Sequence, residues 1–145
     1  MLEYLLVLLS IIVTAALFGG TLFFAGVVLP VIQAKLPRDT AAEFLEEAFP
    51  IYYLTAFVTA VLAAVAAARP NPVAAGVLGI VGISFLYARI FLLPRINAAQ
   101  EEGDMQRHKR LHKQSVTLTI VQIAVVMAVL LFLAIVGPLA AVLSH

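Results

Sequence analysis

Cysteine is missing from this chain. Its absence removes disulfides, thiolate metal sites and cysteine nucleophiles, and leaves the redox compartment undecided. Charge is scarce as well. Asp, Glu, Lys and Arg make up 12% of the 145 residues, roughly half the share of a soluble domain. Nine basic and eight acidic residues leave a net charge of +1, so nothing global points to nucleic acid. The start, Met1-Leu2-Glu3-Tyr4, holds an acid and no base before the first apolar run. A cleaved signal peptide wants the opposite charge there, so the expectation is a retained membrane helix. What the chain has instead is apolar surface: 63% hydrophobic residues and a mean hydropathy of +1.09. One domain of this length cannot hide that much apolar surface from water, so lipid must cover it. The 8 Gly and 7 Pro suit membrane helices, which carry more of both than soluble ones.

The apolar residues fall into four runs, at about 5–34, 51–68, 73–93 and 115–143. Each is near or above the ~20 residues that cross a bilayer as a helix. Backbone groups in hydrocarbon must pair within their own segment, and the alternating strands of a β-barrel are not seen. The fold expected is therefore all-α: a polytopic four-transmembrane-helix bundle, one domain over 1–145. Pro30 is a candidate kink in the first helix. Pro50 opens the second, Arg69-Pro70-Asn71-Pro72 reads as a tight turn, Pro94-Arg95 stops the third, and Pro138 lies near the end of the fourth. In loop one, Asp39 or Thr40 is a candidate N-cap. Phe44, Leu45, Ala48 and Phe49 there oppose Glu43, Glu46 and Glu47, the pattern of a short interfacial helix. Lys35, Arg38, Arg89, Arg95, Arg107, Lys109, Arg110 and Lys113 gather at one end of the runs, and only Arg69 lies at the other. The positive-inside rule then places loops one and three in the cytoplasm and both termini outside, with a plasma membrane as the expected host.

Several polar residues sit where lipid is expected. Arg89 lies five residues before Pro94 and shares a helix face with Gly79, Gly82 and Leu86; Gly76 is three residues earlier. Small residues mark close helix packing, which points Arg89 into the bundle, with Glu43, Glu46, Glu47 or helix-end carbonyls as partners. The alternative is snorkelling to lipid phosphate. On the fourth helix His108, His112, Ser115, Thr119 and Gln122 recur at four, three, four and three, one polar stripe entering the membrane. Such a stripe faces protein or water, either as a ligand site or as interhelical hydrogen bonding alone. His108 and His112 have the spacing of two metal ligands. No third ligand follows, and the surrounding bases favour an anion, including a lipid head group. Tyr52 and Tyr53 suit interfacial anchoring, and Tyr52 shares a face with Thr55 and Thr59. Gly19-Gly20-Thr21 reads as a close-packing point, not a phosphate loop.

Five pieces occur in order: Gly20-Thr21-Leu22-Phe23-Phe24, Leu36-Pro37-Arg38-Asp39-Thr40, Phe49-Pro50-Ile51-Tyr52-Tyr53, Arg89-Ile90-Phe91-Leu92-Leu93-Pro94-Arg95 and His112-Lys113-Gln114-Ser115. Together they resemble the transmembrane protein 205-like family over nearly the whole chain. The resemblance implies a four-helix integral membrane protein without an established activity. The chain departs from a soft-metal carrier in having no thiol and no His or Trp in its first helix.

The function expected is binding or transport of a small polar or anionic ligand at a cytoplasm-facing site between helices three and four. Its residues would be Arg89, Arg95, His112, Ser115, Thr119, Gln122 and Tyr52. The competing reading is a structural or accessory membrane protein in which the same residues only tie helices together. A haem or metal protein would need His ligands at membrane depth, but His108 and His112 lie at the surface and His145 at the other side. No cofactor is expected and catalysis is disfavoured. The expected partners are the bilayer, a small anion or lipid head group, and, through the glycine faces, a second copy of the chain.

Overall fold

The computed structural model describes residues 1–143, with side chains to Val136. Pro138 and His145 lie outside the described side chains. Four helices account for the described chain: Leu2–Lys35, Arg38–Ala67, Pro72–Glu101 and Met105–Leu143. There is no strand among the described residues. All four helices are long and apolar enough to cross a membrane. Ile51, Val65, Val73, Ile80, Ile83 and Ile135 are each more than 60% exposed on their outer faces. In water that surface would drive aggregation, and in a bilayer it is the solvated state. The protein is a multi-pass integral membrane protein.

The helices run well past the apolar stretches. Thirty residues rise ~45 Å against a hydrocarbon core of ~30 Å. Prolines do not end them where the sequence suggested. Pro50 lies inside helix two, so the segment expected as a separate interfacial helix is that helix's own first turns. Helix three continues through Pro94 to Glu101. The connections shrink accordingly. Leu36-Pro37 joins helices one and two, with Pro37 and not Asp39 or Thr40 at the N-cap position. Asp39 instead sits in the first turn, where a carboxylate complements the helix dipole. Asn71 Oδ1 accepts the Ala74 amide (3.2 Å) and caps helix three, with Pro72 as its first residue. The last turn is closed by Gly103, whose φ of 73° suits a residue without a Cβ. Asp104 then caps helix four by accepting the Arg107 amide at 3.1 Å.

Two prolines are accommodated by the same device. A π-helical turn at Phe24–Val28 precedes Pro30, and another at Ala88–Leu92 precedes Pro94. Each begins six residues before its proline. A wide turn admits a ring that clashes with the carbonyl four residues back. The flanking sequences match: Leu29-Pro30-Val31-Ile32-Gln33-Ala34 and Leu93-Pro94-Arg95-Ile96-Asn97-Ala98.

Buried residues repeat at alternating steps of three and four on every helix. They are Ser10, Thr14, Leu17 and Thr21 on helix one, and Tyr53, Ala56, Ala60, Ala63 and Ala67 on helix two. Helix three contributes Ala74, Leu78, Val81, Phe85, Ala88 and Leu92, and helix four Gln122, Val126, Val129 and Leu133. A mean period of 3.5 is that of left-handed helix packing. Helix two meets helix three through its alanines, the broadest interface in the molecule, and helix one packs on helices two and four. Gly82 is the glycine at a close approach: a Cβ there would stand 3.4 Å from Ala60 Cβ, whereas Gly19, Gly20, Gly76 and Gly79 face open space.

Candidate functional site

Beyond its π turn, helix one loses contact with the interior. Leu29–Lys35 buries no residue and packs only against the start of helix two. The divergence opens a cavity of about 910 Å³ at the basic end of the molecule, between helices one, two and four, with the end of helix three closing one side. That volume suits a drug-sized or larger ligand.

The inner wall is aromatic. Phe24, placed by the π turn, stacks on Tyr52 at 4.2 Å and meets Phe49 edge-on at 5.6 Å. Tyr52 also meets Tyr53 at 5.2 Å and Phe85 at 6.2 Å. Tyr53 reaches helix four, where its hydroxyl lies 3.4 Å from Ser115 Oγ. The Tyr52 hydroxyl is buried and has no hydrogen-bond partner. Leaving such a group unmade in a dry site costs ~1–3 kcal/mol.

The outer part is polar. Gln33, Arg38, Asp39, Glu46, His108 and His112 line it. Asn97 and Gln100 complete it from helix three. The His108 and His112 rings lie parallel, 6.3 Å apart. Among the described residues no group of three or more His, Cys, Asp or Glu side chains converges as a metal site would require. The one ion pair among the described residues joins Arg107 to Glu102 at 3.5 Å, away from the cavity.

The residues singled out from sequence divide between this cavity and the helix contacts. Tyr52, His112, Ser115 and Thr119 line the cavity, as do His108 and Glu46. Thr119 also donates to its own backbone at Ser115 O, 2.9 Å away. Arg89, Arg95 and Gln122 do not line it. Arg89, half-buried, donates from Nε to the carbonyl of Pro50 at 3.2 Å. Of the partners considered, it therefore has a helix carbonyl, and no ion pair joins it to Glu43, Glu46 or Glu47. Arg95 is exposed. Gln122, 4% exposed, donates Nε2 to Ser84 Oγ at 2.8 Å, and Ser84 in turn bonds Val81 O. The polar stripe of helix four thus splits with depth, its outer four residues on the cavity and its innermost on helix three. The cavity accordingly lies between helices one, two and four, with the end of helix three on one side, and is not confined to the space between helices three and four.

Two features escaped the sequence reading. Ser10 and Thr14 are fully buried on helix one, in line with Thr21. Their four-residue spacing within an apolar run was the available signal. Gln33 and Asn97 were hidden because each follows a proline expected to end or bend its helix.

The family model described as a domain of unknown function, DUF4149, matches residues 12–105. That stretch takes in most of helix one, helices two and three and the turn into the fourth. No curated protein and no solved structure matches the chain.

Proposed function

The chain belongs to the family of DUF4149 domains, whose description names no activity, and we propose from the geometry that it binds, or carries across the membrane, a small polar or anionic ligand in the cavity at its basic end. The observation that supports this most directly is the cavity itself, polar outside and aromatic inside. The basic end faces the cytoplasm in this proposal, by the distribution of Lys and Arg. Kinship with the transmembrane protein 205-like family is part of the same proposal and rests on the five sequence pieces.

Inorganic phosphate is a suitable probe. A ligand that binds only the folded state raises the unfolding midpoint by mass action. Detergent-solubilised protein should show a saturable rise with phosphate, reduced in Arg38→Gln and His112→Gln. A flat response across millimolar phosphate at low ionic strength would count against the reading.

A second reading, a structural or accessory membrane protein, draws on a different observation. Arg89 to Pro50 and Gln122 to Ser84 tie helices three to two and four to three. Polar bonds of that kind hold membrane helices together without any ligand.

A further inference from the structure

We propose that the occupant of the cavity is a whole phospholipid with a protonated amine in its head group, seated with an acyl chain between helices one and four. The inference rests on the binding reading above and names the ligand class for the same site.

Length is the first argument. On helix two the lining runs from Arg38 to Tyr53, and on helix four from Met105 to Ile123. At 1.5 Å per residue these are ~22 Å and ~27 Å. One leaflet of hydrocarbon is about 15 Å, half of the ~30 Å core. A free anion would occupy one end of such a site and leave the rest empty. A phospholipid extends from the interface through its leaflet and fills it.

The lining changes character along that length. Its inner part includes Leu22 from helix one and Val116, Ile120 and Ile123 from helix four. Leu22, Val116 and Ile120 are 46%, 40% and 62% exposed. The protein leaves this apolar lining of helices one and four uncovered, and an acyl chain there would cover it.

The outer part carries both signs of charge. Arg38, Asp39 and Glu46 of helix two line it together with His108 and His112 of helix four. None of them is in an ion pair among the described residues. A phosphate alone would meet two carboxylates as well as the arginine. A head group with phosphate and ammonium satisfies both sets, the phosphate on Arg38 and the histidines, the amine donating to Asp39 and Glu46. A primary amine has N–H donors for the carboxylates, and a quaternary one has none.

The test is native mass spectrometry of protein released from nanodiscs holding equal parts phosphatidylethanolamine, phosphatidylcholine and phosphatidylglycerol. The expected result is one retained phosphatidylethanolamine per chain, preferred by about tenfold, a difference well within reach of two hydrogen-bonded charges. Ile120→Trp, which fills the acyl path from an exposed position, should remove the retained lipid. Ile135→Trp, equally exposed and outside the cavity, should not. Asp39→Asn combined with Glu46→Gln should equalise the three lipids. No retained lipid in the parent protein, or retention indifferent to both Ile120→Trp and the carboxylate pair, would overturn the inference. Free phosphoethanolamine separates the two levels. If it raises the unfolding midpoint of parent and Ile120→Trp protein alike while no lipid is retained, the lipid inference falls and the polar-site reading stands. If neither lipid nor phosphoethanolamine nor phosphate binds, both fall.

Discussion

Arg89 shows how a charge is placed in a membrane helix without a counter-ion. Its Nε meets the Pro50 carbonyl, and a carbonyl in a helix keeps a second lone pair for such a donor. Lysine has no planar donor at that position. Arg89→Lys should therefore lower stability by about 1 kcal/mol, read as a lower unfolding midpoint in detergent. An unchanged midpoint would mean that the bond contributes nothing. Gln122 makes the complementary case. Its bond to Ser84 should appear in a double-mutant cycle of Gln122→Leu and Ser84→Ala as a coupling of about 0.6 kcal/mol, the average for polar pairs between membrane helices. Because Gln122 does not line the cavity, Gln122→Leu should leave phosphate binding intact. Loss of binding in a folded Gln122→Leu protein would relocate the site. At Gly82 a methyl group just reaches Ala60, so Gly82→Ala should be tolerated. Gly82→Leu should push helices two and three apart and cost on the order of 2 kcal/mol or more through overpacking, measured by the same thermal assay.

At the scale of elements, the paired π turns decide where the cavity is. Both precede a Leu-Pro-x-Ile-amide-Ala segment, and both amides, Gln33 and Asn97, line the cavity. Only the first segment diverges from its neighbours. Leu29–Lys35 buries nothing, whereas Leu93 and Ala99 on the second are buried against the core. Pro30→Ala restores the missing amide and removes the clash that favours the wide turn. The helix end should then swing inward. Spin labels at Lys35 and Lys109, both exposed, should come closer than in the parent protein, and phosphate binding should weaken. An unaltered label distance would show that packing, not the proline, holds helix one apart.

The whole molecule is a ring of neighbours, one beside two, two beside three, three beside four and four beside one. Short turns suffice for such a path, and the structure has them. In the proposed orientation, taken from the charge pattern, the basic end faces the cytoplasm. The absence of cysteine gives a clean background for testing it. In intact cells Arg69→Cys should react with an impermeant maleimide, and Lys109→Cys should react only after permeabilisation. The reverse pattern would invert the topology and put the cavity mouth outside.

The sequence by itself determined that the protein lies in a membrane, that it does so as four helices, and which end is basic. Those conclusions depend on hydropathy and charge summed over many residues, and such sums do not require knowing what touches what. It also marked the polar stripe that lines the cavity, since His108, His112, Ser115 and Thr119 share one face by periodicity alone. Only the tertiary structure decided which neighbour that face meets. Pro50 and Pro94 read locally as helix ends, yet the helices continue through them, Pro94 after a π turn and Pro50 within an unbroken α-helix. Arg89 and Gln122 read as site residues because a polar group in lipid needs a partner. Whether that partner is a ligand or the next helix depends on where another chain segment lies in space, and the order of residues along one helix carries no information about that.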